Sequence, residues 1–136
     1  MKLKVIAIGV CALVVIGFLL DTPEEFVLAS ARLGGPGSSG AFDAKVTRRQ
    51  LCYSMDFVVP GKVTHAHISL GHGEDGGLAT LYNDPLPKDR PACVDIVPGR
   101  YDAFVANPQH FYVHIHAQGI PGLAAAGPLE IRGGTE

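Results

Sequence analysis

The chain has 136 residues, which is enough for one domain with a modest core. Its net charge is −2 and it has no basic stripe, so the composition argues against a nucleic-acid partner. The 17 glycines and 10 prolines favour short strands joined by turns over a helical bundle.

The N-terminal segment, residues 1–31, is predicted to be a signal peptide or a membrane anchor. Lys2 and Lys4 precede an uninterrupted apolar run over residues 5–20, and acidic residues follow it. This order of charges is typical of an export signal. The small residues at 29–31 suit cleavage but lie farther from the apolar run than is usual, and that run of about 24 Å is short for a membrane span, so both alternatives stay open. The protein is expected to be secreted, or anchored to the membrane and facing outside.

A Gly/Ser-rich segment at 32–40 is predicted to link this leader to a folded domain at 41–136. In that domain, apolar and polar residues alternate with the period of half-buried strands. The predicted strands cover 42–46, 51–59, 63–70, 78–82, 111–117 and 129–132, with a short apolar piece at 92–97 and helical turns at 101–106. These elements predict an all-β fold, either an immunoglobulin-like β-sandwich or a small Greek-key barrel with a short helical turn.

Two cysteines, Cys52 and Cys93, lie in the part of the chain that is predicted to be exported, whereas Cys11 lies in the apolar leader. Two thiols in an oxidising compartment can pair once, and a bridge that closes a loop of about forty residues stabilises a fold by roughly 3 to 4 kcal/mol. The alternative is a pair of unrelated buried thiols. The disulfide is the prediction that this pattern favours.

Four histidines form two His-x-His pairs, His65 with His67 and His114 with His116. Residues two apart on a strand share a face, with Cα atoms about 6.5 to 7 Å apart. Two such pairs on neighbouring strands bring four imidazoles toward one point, and neutral imidazoles suit Zn²⁺ or Cu²⁺. The pattern therefore predicts a candidate metal site.

Other polar residues leave alternatives open. His72 and His110 lie at turn ends and are either extra ligands or exposed side chains. Glu130 or Asp75 would complete a mixed nitrogen and oxygen site, or orient a ring from outside it. In the structural alternative the histidines pin two strands together, with Glu130 and Arg132 as hydrogen-bond partners. A metal site requires adjacent strands whose registers do not stagger by two residues.

Catalytic motifs are not found in the sequence. It has no Gly-x-Ser-x-Gly elbow, no P-loop and no His-Glu-x-x-His helix. The spacing of Gly71, Gly73 and Gly76 matches a dinucleotide fingerprint, but a strand follows it where a helix is needed, so it is interpreted as a turn. A non-enzymatic protein is therefore expected. An enzyme that uses a metal bound by the histidines is a further hypothesis.

Three motifs occur in the same order as in a known domain family. The segment VTHAHI at 63–68 is followed by a Gly-rich turn and by LATL at 78–81. The segment ANP at 106–108 precedes YVHIH at 112–116, and EIRG closes the series at 130–133. Together these motifs, over about residues 40–134, resemble the CHRD (chordin) domain in its bacterial exported form.

The resemblance holds at some histidines and fails at others. His67 and His116 match the family pattern, whereas His65 is particular to this chain. Ser69 stands where the family has its second histidine, and His114 stands where it has an asparagine.

The resemblance implies an immunoglobulin-like β-sandwich in an exported protein, with a cysteine pair at the positions of Cys52 and Cys93. It also implies a non-enzymatic binding or envelope-associated module whose ligand or protein partner lies outside the cytoplasm. The alternative function is Cu or Zn binding by the two His-x-His strands.

Overall fold

The structure is a computed structural model, and it describes residues 24–71, 73, 76–82 and 91–132. Most of the predicted leader, together with His72 and Asp75, lies outside these residues. Within the described part the chain forms nine β-strands, one short α-helix and one 3-10 turn. They are β1 (Phe26–Gly35), β2 (Ser38–Thr47), β3 (Gln50–Val58), β4 (Val63–Leu70), β5 (Ala79–Tyr82), β6 (Ala92–Asp95), α1 (Tyr101–Ala106), the 3-10 turn (Pro108–His110), β7 (Phe111–Ala117), β8 (Ala125–Pro128) and β9 (Glu130–Ile131).

The strands form one antiparallel sheet in the order β5-β4-β7-β8-β1-β2-β3-β6, and β9 also pairs with β1. The two ends of this order meet, because the amide of Val97 donates to the carbonyl of Leu78 over 2.8 Å. The hydroxyl of Tyr53 on β3 also donates to the carbonyl of Leu81 on β5. Burial raises the pKa of Tyr53, which keeps this hydroxyl protonated. The sheet is therefore nearly closed and barrel-like, which confirms the predicted all-β class.

The core follows from alternation along the strands. On β3 every second residue is buried and the residues between them are exposed or half-buried; the buried ones are Leu51, Tyr53, Met55 and Phe57. Each fully buried large side chain contributes about 1.5 to 3 kcal/mol to folding. Helix α1 closes one part of this core with Tyr101 and Phe104.

The predicted linker at 32–40 is wrong, because these residues form a β-hairpin. The end of β1 pairs with the start of β2 across the two-residue turn Pro36-Gly37, where Gly37 has a φ of 68°. Leu33 is buried in the core. A side chain at Gly40 would collide with Phe57 on β3. Glycine therefore permits close packing of strands here, whereas composition alone suggested flexibility.

Strand β1 also contains residues that the sequence assigned to the leader. Ala29 and Ala31, from the small-residue motif, are buried in an interior strand that pairs with β2 on one side and with β8 and β9 on the other. Cleavage after Ala31 would remove more than half of β1. The β domain thus includes Phe26–Gly35 among the described residues, which lie before the predicted boundary at residue 41. None of the helices in the described part has the length and apolar character of a membrane span.

The predicted disulfide between Cys52 and Cys93 is confirmed. The two residues lie directly opposite each other in the β3–β6 pair, at a sequence separation of 41. The bridge ties the four-residue strand β6 to a long strand of the sheet. A disulfide is compatible with an extracellular location.

Candidate functional site

The four histidines of the His-x-His pairs lie on one face of two adjacent strands, β4 and β7. The register places His65 opposite His116 and His67 opposite His114. The inward face of β4 is filled by Ala66 and Ile68, and that of β7 by Val113 and Ile115, all completely buried. Apolar packing inside the sheet therefore fixes the register and places the four imidazoles together on the other face.

Three of these rings form a compact group, His65, His67 and His116. Their potential ligand nitrogens all lie within 4.8 Å of one another, and the three side chains are half-buried. The rings of His65 and His116 stack with centroids 4.0 Å apart and an interplanar angle of 12°. The ring of His67 lies 5.2 Å from that of His116. The group is thus accessible and rich in nitrogen donors.

His114 differs from the other three, because it is only 1% exposed. Its Nδ1 lies 3.2 Å from Oγ of Ser69 and 3.3 Å from Nε2 of His67. The hydroxyl of Ser69 donates its single proton to the carbonyl of Gly73 over 2.8 Å. Its oxygen can then only accept from His114, so Nδ1 of His114 carries a proton.

The proton on Nδ1 of His114 determines whether Nε2 of His67 carries a proton. Since Nδ1 of His114 is a donor, Nε2 of His67 is the acceptor in their contact and carries no proton. An unprotonated ring nitrogen is the form that coordinates a metal. The single lone pair of that Nε2 points at His114, so His67 binds an ion through Nε2 only when this hydrogen bond is given up; Nδ1 of His114 carries its proton and is not available as a ligand.

The same reasoning applies to His65 through Thr64. The hydroxyl of Thr64 donates to the carbonyl of His116 over 3.2 Å and lies 3.3 Å from Nδ1 of His65. Its oxygen therefore accepts from Nδ1 of His65, which leaves Nε2 of a neutral ring unprotonated. Metal-ligating histidines typically donate their second ring N–H in this way. The sequence pattern does not reveal the roles of Thr64 and Ser69, because each depends on a partner on the neighbouring strand β7.

The remaining predicted site residues lie elsewhere or outside the described residues. His110 is exposed on the 3-10 turn. Glu130 is exposed on β9, which pairs with β1 and not with the histidine strands. Arg132 lies 3.9 Å from Asp43 in an exposed ion pair. Within the described part of the chain, neither Glu130 nor Arg132 bonds to a histidine. Their predicted partnership with the rings is therefore not found among these residues, because β9 pairs with β1 and not with β4 or β7.

A pocket of about 300 Å³ opens beside the histidine group, between β4 and β5. His65 and His67 line one side, and Gly77, Thr80 and Val97 line the other. Thr80 lies directly opposite His67 in the β4–β5 pair, so the two side chains share a face of the sheet.

Comparisons of the chain with protein-family models, with curated proteins and with solved structures found no match. The resemblance to CHRD domains therefore stays a prediction.

Proposed function

We propose that this protein is a divalent metal-binding β domain that acts outside the cytoplasm, with His65, His67 and His116 as ligands. The observation that carries this proposal is the spread of at most 4.8 Å among the three ligand nitrogens. Metal–nitrogen bonds of about 2.0 to 2.1 Å place the nitrogens of a tetrahedral site about 3.4 Å apart. The nitrogens therefore have to approach one another by about 1 Å, and the stacked rings have to rotate so that their in-plane lone pairs point at one ion.

The hydroxyls of Thr64 and Ser69 support the proposal. Through the bonds described above, Thr64 leaves Nε2 of His65 unprotonated before any ion binds. Ser69 offers the proton of His114 a second acceptor, so the hydrogen bond to Nε2 of His67 can be given up when an ion binds there. Such outer hydrogen bonds fix the orientation of ligand rings and raise metal affinity. A group that only pinned two strands together would not need this proton arrangement.

The expected ion is Cu²⁺ or Zn²⁺, because imidazole suits both. A given site of nitrogen ligands binds Cu²⁺ more tightly than Zn²⁺, because copper stands above zinc in the Irving–Williams order. We therefore expect Cu²⁺ to bind more tightly than Zn²⁺.

A second candidate function is a non-enzymatic CHRD-type module, secreted or anchored to the envelope, with a ligand or partner outside the cytoplasm. The three ordered motifs and the disulfide, which suits an oxidising compartment, favour it. The two functions are compatible, since the residues His67 and His116 that match the family pattern belong to the metal group.

Calorimetric titration of the whole chain with Cu²⁺ and with Zn²⁺ tests the metal proposal. We expect a Kd for Cu²⁺ tighter than about 10 μM, or about −7 kcal/mol. The double variant His67→Ala/His116→Ala is expected to weaken binding by at least about 100-fold, since two of three ligands are lost.

The matched control is His110→Ala, which removes an exposed histidine outside the group. It is expected to bind Cu²⁺ like the unchanged protein. The proposal would be refuted if the unchanged protein bound Cu²⁺ with a Kd weaker than about 10 μM and the double variant bound it equally. The histidines would then be a structural cluster.

A further inference from the structure

Among the described residues the proposed ligand set supplies three nitrogens, whereas Zn²⁺ and Cu²⁺ take at least four ligands. His114 does not supply the fourth through Nδ1, because that nitrogen carries the proton shared with Ser69 and His67. Three protein ligands and one exchangeable position are the arrangement of metal sites that bind external molecules.

The pocket between β4 and β5 adjoins the proposed ligands and offers space for such a position. Two of the three proposed ligands, His65 and His67, form one of its walls. At about 300 Å³ it is at the lower end of the range for ligand sites, so it fits a small molecule. Thr80, on the opposite wall, is exposed and brings a hydroxyl to the side of His67.

Charge indicates which small molecule fits. The described residues that line the pocket include no acidic or basic side chain besides the histidines. An ion held by three neutral imidazoles keeps its full double positive charge, and a bound cation is then the largest charge in its surroundings. The pocket therefore favours an anion over a neutral or cationic ligand.

We infer that a metal ion held by His65, His67 and His116 keeps a coordination position that opens into this pocket and takes a small inorganic anion. The inference rests on the proposed metal-binding function. The anion donates a lone pair to the ion, and Thr80, which lines the pocket opposite His67 in the β4–β5 pair, provides a hydroxyl to assist it.

Azide titration of the Cu²⁺-loaded whole chain tests the inference by absorption spectroscopy. Azide bound to Cu²⁺ adds a ligand-to-metal charge-transfer band, so we expect a new band that saturates with azide. Copper binding is measured first without azide, which keeps the two proposals distinguishable.

Two variants test the place of binding. Thr80→Phe fills the pocket, and Thr80→Ile is a smaller replacement; both residues suit an exposed strand position. We expect both to keep the Cu²⁺ affinity within about twofold and Thr80→Phe to weaken azide binding by at least about tenfold. The control, Ser54→Phe, places the same ring at an exposed position on β3 and is expected to alter neither affinity.

An azide-independent spectrum of the copper-loaded protein would overturn the inference, because it would show that no exchangeable position exists. Azide binding that both Thr80 variants leave unchanged would overturn the assignment to this pocket. Failure to bind Cu²⁺ in the absence of azide would refute the proposed function itself, and the inference with it.

Discussion

Loss of the disulfide is expected to destabilise the fold mainly through the unfolded chain. In the chain-entropy treatment, a bridge across a separation of 41 residues stabilises by about 4 kcal/mol. Lost packing adds little, because Cys52 is half-buried and Cys93 is exposed. Since small domains are stable by only about 5 to 15 kcal/mol, this is a large fraction of the total. Strand β6, which has four residues at one end of the sheet order, is expected to open first.

Urea unfolding of the oxidised protein and of Cys52→Ala/Cys93→Ala, followed by circular dichroism, measures the effect. With a denaturant slope of about 2 kcal/mol/M, the midpoint of the double variant falls by about 2 M. Its slope also rises, because the unfolded chain without the bridge exposes more surface. Cys11→Ala keeps the bridge and serves as the control. A midpoint shift below about 0.5 M would refute the reasoning, since it would mean that the bridge barely restricts the unfolded state.

Four further predictions address the site and the strands. Ser69→Ala is expected to weaken Cu²⁺ binding by about tenfold or more in calorimetry, and an unchanged affinity would contradict a positioning role. Gly127→Ala is expected to lower the free energy of unfolding by at least about 1 to 3 kcal/mol, because the added methyl collides with the β1 backbone. Thermal melts measure this change, and Gly34→Ala, whose added methyl meets open space, is the control. Lowering the pH from about 7.5 to 5.5 is expected to weaken Cu²⁺ binding, because protonated imidazole does not coordinate; equal affinities would exclude histidine ligation. N-terminal sequencing of the processed protein, if a leader is removed, is expected to find a start at or before Phe26, and a start at Arg32 would contradict the role of β1.

Strands with strong apolar alternation could be predicted from the sequence, and strands made of small residues could not. The predicted spans 63–70 and 111–117 match β4 and β7, and the helical turns at 101–106 match α1. Strand β8 was missed because alanine and glycine, which have weak strand preferences, form three of its four residues. Strand β1 was missed because its apolar first half was assigned to the leader and its glycine-rich end to the linker. Such strands form because their small side chains let neighbouring backbones approach closely, as Gly127 does against β1. That contact is a tertiary property that no local pattern encodes.

The candidate site shows a related limit. The spacing of the histidines correctly placed all four on one face of two strands, but whether the strands are adjacent and in register depends on the packing of the inward residues. The spacing of the histidines also gives no reason to distinguish the four rings in burial or protonation. In the structure, burial and two hydroxyl groups make them different, because a hydroxyl that gives its proton to a backbone carbonyl must accept one from the ring beside it.

The difference between His114 and the other three rings carries the strongest argument about function. A cluster that only pinned the strands would be satisfied by mutual hydrogen bonds, and its rings could exchange roles. Here the proton on His114 is fixed by Ser69, and Ser69 is fixed by the carbonyl of Gly73 in the turn after β4. The chain of bonds runs in one direction and ends at the unprotonated Nε2 of His67. Counting histidines in the sequence therefore overstates the group, because the ligand nitrogens that lie within 4.8 Å of one another belong to His65, His67 and His116 alone among the four. The hydrogen bond from His114 occupies Nε2 of His67 until an ion takes its place.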